Sequence, residues 1–237
     1  MLKLFLKSLQ TGIVTTEYPE KKSVPAPGFQ GLPVWNKQSC VQCGRCADIC
    51  PTKAIELYNG KNELFWQVDA KKCIFCGYCL EVCKGAIAQS ENYELATNAE
   101  STPDAQNFKR SVHIRHLDSG SCNGCDWEMT TLTGPVYDVQ RLGFDFVPSP
   151  RHADILMVTG PVTRNLEIAV RKTYEATPSP KLVVAVGTCA CSGGICGKSY
   201  ASSGGVENIL PVDVFIPGCP PRPQALIHGL LKAVGKA

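Results

Sequence analysis

No stretch of this sequence approaches the roughly 18 consecutive apolar residues of a membrane-spanning helix, which excludes a helical span. Lysine- and arginine-rich runs are also missing, and the net charge is only +3. That balance excludes nucleic acid as a partner. Histidine is scarce: His113, His116, His152 and His228 are all there are, and they show no metal-ligand spacing. His113 and His116 read as structural residues flanking a strand, and His152 as a neighbour of a later strand. No Ser/His/Asp or Cys/His arrangement suggests nucleophilic catalysis. The start, MLKLFLKSLQTGIV, lacks the features of a secretory signal, because Lys3 and Lys7 interrupt its apolar residues and no small-residue cleavage site follows.

What the sequence does hold is cysteine, 14 residues in 237. They fall in short-spaced groups, which points to thiolate ligands in a reducing compartment and not to disulfides. A length of 237 residues with 44% hydrophobic composition suits one medium domain plus a small one. Ahead of both, Leu2, Phe5, Leu6, Leu9 and Ile13 recur at helical spacing, with Lys3, Lys7 and Gln10 opposite. Residues 1–30 are expected to form this amphipathic segment and an arm. The segment is expected to pack on a partner, in preference to lying in a membrane interface.

Residues 39–55, SCVQCGRCADICPTKAI, and 72–87, KCIFCGYCLEVCKGAI, repeat one pattern: C-x-x-C-G-x-C-x-x-x-C, then Ala-Ile. This is the signature of a two-cluster ferredoxin, in which each run gives three ligands and its fourth cysteine crosses to the other cluster. Cys40, Cys43, Cys46 and Cys83 are then expected to hold one [4Fe–4S] cluster, and Cys73, Cys76, Cys79 and Cys50 another. Gly44 and Gly77 relieve the tight loops at matching places, and a helix after each third cysteine is expected to carry the fourth. Zinc also binds CxxC pairs, but eight cysteines in a repeated order set it aside. Pro51 follows the first run, whereas Lys84 stands at the matching place in the second. The expected domain is a small α+β ferredoxin-like unit over 31–90, followed by a polar linker over 91–110.

From residue 111 the pattern changes to apolar runs alternating with helical stretches. SVHIRHL (111–117), ADILMVTG (153–160), KLVVAVG (181–187) and VDVFIPG (212–218) read as strands, with FDFV (144–147) as a short extra one. Helices are expected around 125–133, 164–176 and 222–234, the last opened by proline. The pattern predicts an α/β unit over 111–237, a flavodoxin-like parallel sheet with helices on both faces. Ligands bind beyond the carboxyl ends of such strands. There the chain delivers Cys122 and Cys125, then Cys189, then Cys219, a candidate third ligand set. Cys191 offers a second sulfur beside Cys189, which is preferred because it lies nearest the strand end. Cys191 and Cys196 are otherwise expected to be free thiols. Thr159-Gly160-Pro161 ends its strand in a compact turn that could line the same edge.

SCNGCDWE, PRHADILMVTGPVT, GTCA and PGCPPRP, in this order, resemble the small subunit of [NiFe] hydrogenases and its relative, the 20-kDa-type subunit of respiratory complex I. The preceding module, with LKSLQTGIVTTEYPE before it, is similar to the two-cluster ferredoxin subunit of the same assemblies. The resemblance implies a fusion of two subunits carrying three [4Fe–4S] clusters in series. Asn123 and Gly124 separate two cysteines that are adjacent in complex I, and the CNGCDxE form resembles membrane-bound hydrogenases and formate hydrogenlyase. A twin-arginine leader and further C-terminal cluster modules, usual in uptake hydrogenases, are not expected.

The implied role is a non-catalytic electron-transfer subunit of a membrane-attached, energy-converting [NiFe] hydrogenase. The implied partners are a large subunit of the hydrogenase or 49-kDa type, membrane subunits, and a donor such as ferredoxin or formate dehydrogenase. The implied location is the cytoplasmic face of the cell membrane, reached through the complex. Twelve of the 14 cysteines are taken by clusters, too few remaining for the four thiolates of the family's NiFe site, which falls to the partner. Glu128, acidic in both branches of the family, is a candidate for proton handling. A complex I-like reductase of quinone or another acceptor, and a free-standing carrier or redox sensor, are the alternatives. SGGICGKS (192–199) nearly matches a phosphate-binding loop, but Ser192 stands where that motif needs glycine, so no nucleotide is expected.

Overall fold

The computed structural model of the chain describes residues 2–59, 64–83, 85–99, 108 and 111–237. Helix α1, Leu2–Thr11, forms over the amphipathic stretch, and none of its residues is buried. Leu2, Phe5, Leu6 and Leu9 remain 49–73% exposed, so the apolar stripe has no cover among the described residues. The arm behind it is pinned to the far part of the chain. Thr16 N donates to Val136 O at 2.8 Å and Thr15 Oγ1 to Pro135 O at 2.7 Å, while Arg141 donates to the carbonyls of Thr16 and Tyr18.

The first cysteine module is built from β1 (Pro33–Trp35), α2 (Arg45–Asp48), β2 (Ile55–Asn59), β3 (Leu64–Val68), α3 (Tyr78–Val82) and β4 (Ile87–Gln89). Strands β2 and β3 pair antiparallel, as do β1 and β4, with Trp35 opposite Ile87. The repeated Ala-Ile pairs explain themselves here. Ala54-Ile55 and Ala86-Ile87 lead into β2 and β4, and all four residues are buried. Ile55 and Ile87 pack with Cys46 and Cys79 in one small core, against which Trp35 and Trp66 stack with ring centres 6.2 Å apart. Lys84, the departure from the repeat, lies outside the described residues.

The chain then contributes β5 (Thr97–Asn98), β6 (Val112–Asp118), α4 (Gly124–Thr131), β7 (Phe144–Phe146), β8 (Ile155–Thr159), α5 (Glu167–Ala176), β9 (Leu182–Val186), α6 (Gly187–Ser192), β10 (Val214–Ile216) and α7 (Pro223–Ala233). Strands β6 to β10 are parallel, in the spatial order β7-β6-β8-β9-β10. This is the flavodoxin-like order. Every residue of β8 and β9 is buried, as expected for a sheet covered on both faces. Ile155, Met157, Leu182 and Val184 face one core with Leu226, Ile227 and Leu230 of α7. Leu156, Val158, Val183 and Ala185 face the other, with Val170 of α5 and Ala190 of α6.

The expected strands and the helices near 125–133, 164–176 and 222–234 are present with trimmed ends. Helix α5 starts late because residues 163–166 form a turn, closed by Leu166 N on Thr163 O at 2.9 Å. Two elements were not foreseen, α6 and β5. The latter pairs antiparallel with the outer edge of β10. The described part of the expected linker is therefore an arm packed on the second module: Tyr93, Ala96 and Phe108 join the same core as Ile114. Residues 100–107, 109 and 110 of that linker lie outside the described residues. Among the described residues no helix is long and apolar enough to cross a membrane.

Leu226 is fully buried between α7 and the sheet, so Leu226→Ala should destabilise the chain by about 2–5 kcal/mol through lost burial and a residual cavity. Urea denaturation of the anaerobically purified protein measures this, and an unchanged midpoint would remove α7 from the core.

Candidate metal centres

In the first module both cysteine loops take the same shape. Gln42 and Phe75 adopt φ of 57° and 56°, and Gly44 and Gly77 adopt 75° and 78°. The two glycines start α2 and α3 in the left-handed region that costs them nothing. Each helix begins one residue before the third cysteine, not after it, so Cys46 and Cys79 sit in its first turn and are buried. Cys50 and Cys83 follow the helix ends. Amide donors point at the sulfurs in register: Gln42 N to Cys40 Sγ and Phe75 N to Cys73 Sγ, both at 3.4 Å, and Ala54 N to Cys50 Sγ at 3.2 Å.

The fourth cysteine of each run does meet the three of the other. Cys40, Cys43, Cys46 and Cys83 line one cavity of about 380 Å³. Cys50, Cys73, Cys76 and Cys79 line a second. Burial pushes the Cys73 and Cys79 thiols up to about 11, and neighbouring sulfurs add to the shift. Desolvated thiols crowded together resist ionisation unless a cation joins them, and iron or zinc deprotonates such ligands outright. Among the described residues no three His, Cys, Asp or Glu side chains close on a single metal ion. Four sulfurs ringing a volume, with amides aimed at them, fit a polynuclear iron–sulfur group.

In the second module the cysteines come from separate strand ends. Cys122 follows β6 and Cys125 lies in the first turn of α4, whose cap Asn123 is left-handed at φ 67°. Cys189 sits inside α6, immediately after β9. Cys219 follows β10 through Gly218, at φ 149°. Burial raises the Cys125 thiol, and Cys189, Cys219 and Cys122 raise it further. Cys189 is raised by burial and then by Cys219, Cys196 and Cys122, and Cys219 by burial and then by Cys122 and Cys76. Close approach requires glycine at one point above all. A Cβ on Gly187 would stand 2.4 Å from Cys125 Sγ. Cys191 instead turns into the core on the α5 face, its Sγ 3.6 Å from Ala185 O. Cys196 is exposed.

A hydrogen-bonded net supports the residue after Cys125. Asp126 accepts from Ser121 Oγ at 2.5 Å and from Thr159 Oγ1 at 2.8 Å, and lies 2.9 Å from His116 Nε2. Burial lowers the pKa of His116, against the opposing pull of Asp126 and Asp118. The turn at 159–161 thus does line this edge. Sequence reasoning did not single out Asp126; its place directly after a ligand was the available signal.

Glu128 is partly buried and lines a cavity of about 290 Å³ with Cys219, Arg222, Phe29 and Tyr93. Burial raises its carboxyl pKa, and the Arg222 guanidinium opposes that rise. The near phosphate loop at 192–199 leads into bridges, Lys198 with Ser203 and Thr163 with Ser202, and not into a strand-to-helix turn.

Comparison with known proteins follows these sites closely. Residues 39–87 match the 4Fe-4S dicluster domain, and residues 122–233 match the NADH ubiquinone oxidoreductase 20 kDa subunit family. A probable membrane-bound hydrogenase subunit of Pyrococcus furiosus is 50% identical over 127 residues, 54% of this chain and 76% of that one. Formate hydrogenlyase subunit 7 of Escherichia coli is 44% identical over 128 residues, again 54% of this chain but 50% of its own length. An NADH-quinone oxidoreductase subunit of Clostridium beijerinckii is 50% identical over 130 residues, 54% of this chain and 76% of that relative. The chain belongs to the NADH ubiquinone oxidoreductase 20 kDa subunit family and carries, ahead of that part, a 4Fe-4S dicluster domain.

Proposed function

We propose that this chain is the iron–sulfur electron-transfer subunit of a membrane-attached, energy-converting [NiFe] hydrogenase. The observation that carries the reading is the convergence of twelve cysteines into three groups of four, one pair of groups in the ferredoxin-like unit (31–90) and one group on the sheet edge of the second unit (111–237). The proposed ligands are Cys40, Cys43, Cys46 and Cys83; Cys50, Cys73, Cys76 and Cys79; and Cys122, Cys125, Cys189 and Cys219. Bound there, [4Fe–4S] clusters would supply one-electron storage and release.

The protein's own part is to hold the sulfurs, aim amides at them and fix the distances between the three groups. The hydrogenase branch is favoured by the CNGCDxE spacing at 122–128 and by the similarity to subunits named for membrane-bound hydrogenase and formate hydrogenlyase. The partner would be a large subunit carrying the centre where protons become hydrogen, and the donor a ferredoxin or a formate-derived source. A complex I-like quinone reductase is the second reading, favoured by equal identity to a subunit named for NADH-quinone oxidoreductase. Assaying the purified complex for hydrogen evolution against quinone reduction separates them.

Attachment to the rest of the complex is assigned to α1. Isolated helices as short as its ten residues are marginal in water. Burying even two of its exposed leucines would contribute roughly 3–6 kcal/mol. We therefore read α1 as docking on a partner subunit, which would hold the chain peripherally at the inner face of the cell membrane.

The anaerobically isolated chain should contain about twelve iron and as much labile sulfide, three cubanes; about eight would remove the third. Gly187→Ala should strip the third cluster alone, because the added methyl would stand 2.4 Å from Cys125 Sγ and displace it. Iron analysis with EPR checks this, and full iron content in the variant would break the proposed ligand set. Glu128→Gln keeps the side chain's size while removing the exchangeable carboxylate. Slower hydrogen evolution with all clusters still reducible is expected, and unchanged turnover in the assembled complex would make Glu128 structural.

A further inference from the structure

Between the two modules lies a contact that the ligand assignment does not use. Helix α6 carries Cys189, and two hydroxyls flank that residue on the helix: Thr188 just before it and Ser192 one turn after Thr188. Thr188 Oγ1 donates to Cys73 O at 2.7 Å, and Ser192 Oγ donates to Lys71 O at 2.8 Å. Thr188 is 1% exposed. The acceptors belong to the loop that bears Cys73 and Cys76. A third tie holds the same loop, Lys71 Nζ lying 4.0 Å over the Phe215 ring in β10.

The Thr188 hydroxyl also stands 3.1 Å from Gly218 O, but that carbonyl already receives Thr188 N at 2.8 Å. A hydroxyl has one proton to give, and the shorter, otherwise unserved direction is Cys73 O. One side chain thereby joins three ligand-bearing segments. It is covalently next to Cys189, hydrogen-bonded to the backbone of Cys73, and packed on the residue before Cys219.

We propose that Thr188 and Ser192 are positioning residues that set the coupling between the Cys50/Cys73/Cys76/Cys79 site and the Cys122/Cys125/Cys189/Cys219 site. This rests on the three-cluster reading above. The step they would serve is the passage of one electron between clusters bound at the second and third sites, one oxidised as the other is reduced, with no bond made or broken and no proton moved. Their contribution is a short bridge, Cys73 carbonyl to Thr188 hydroxyl to the Cys189 backbone, held in register by Ser192 one turn along. Leaving the part-buried Cys73 carbonyl without its donor is unfavourable, so loss of the hydroxyl should let the loop move to find another donor.

The test uses the full chain in its assembled complex. Thr188→Val preserves shape and removes the hydroxyl; Thr188→Ser restores it; Ser192→Ala removes the second tie. The readouts are iron content, the EPR spin–spin interaction between the reduced second and third clusters, and the rate of electron equilibration between them by freeze-quench. Thr188→Val is expected to keep its iron, lose the interaction and equilibrate more slowly, with Thr188→Ser returning both. Full iron with wild-type interaction and rate in Thr188→Val overturns the proposal. Should Thr188→Val lose iron, Ser192→Ala decides, and an unchanged spectrum and rate in that variant overturn it. A wild-type chain holding only about eight iron overturns the three-cluster reading itself, and this inference with it.

Discussion

Sulfur atoms do not gather by themselves. Four thiols drawn out of water and turned toward one another repel when ionised and gain little when neutral; burial first, and neighbouring sulfurs after it, push the Cys73, Cys79 and Cys189 thiols up. Their arrangement has to be imposed by backbone that is already fixed for other reasons. Both modules meet this constraint. In the first, two copies of a left-handed loop and a one-turn helix aim the sulfurs. In the second, buried strand ends deliver them to a single edge, and the apolar cores on the two sheet faces keep those ends in place.

The duplication in the first module does more than repeat a loop. Because α2 and α3 begin one residue before the third cysteine of each run, their few residues carry the fourth cysteine away from its own loop and into the other's cavity. Each cavity is lined by three cysteines of one run and the fourth of the other. The exchange locks the halves together without a long hydrophobic interface, which so small a core does not provide.

Much of this was legible in the sequence. The repeat stood out because its spacing is set by covalent chain length around a cluster, and the sheet because its strands are unbroken apolar runs. Cys189 was legible as the nearest sulfur to a strand end. Helix α6 was not, since GTCACS contains only small residues and shows no amphipathic period. Strand β5 hid in a polar stretch, where two residues pair with β10 through backbone atoms. The bridge from Thr188 to Cys73 was unreadable for the same reason: its acceptor is a carbonyl, which every residue has.

The chain enters the first module through Tyr18 and leaves it through Tyr93, and these two rings lie 6.1 Å apart in the core of the second module. Entry and exit are thus clasped at one place, and the contacts from α6 clasp the module again at its far loop. A closed neck and a second fastening restrain the first module from swinging on the second. A module on a free tether could instead visit one partner and then another. On the proposed function, this one would be a fixed segment of conductor.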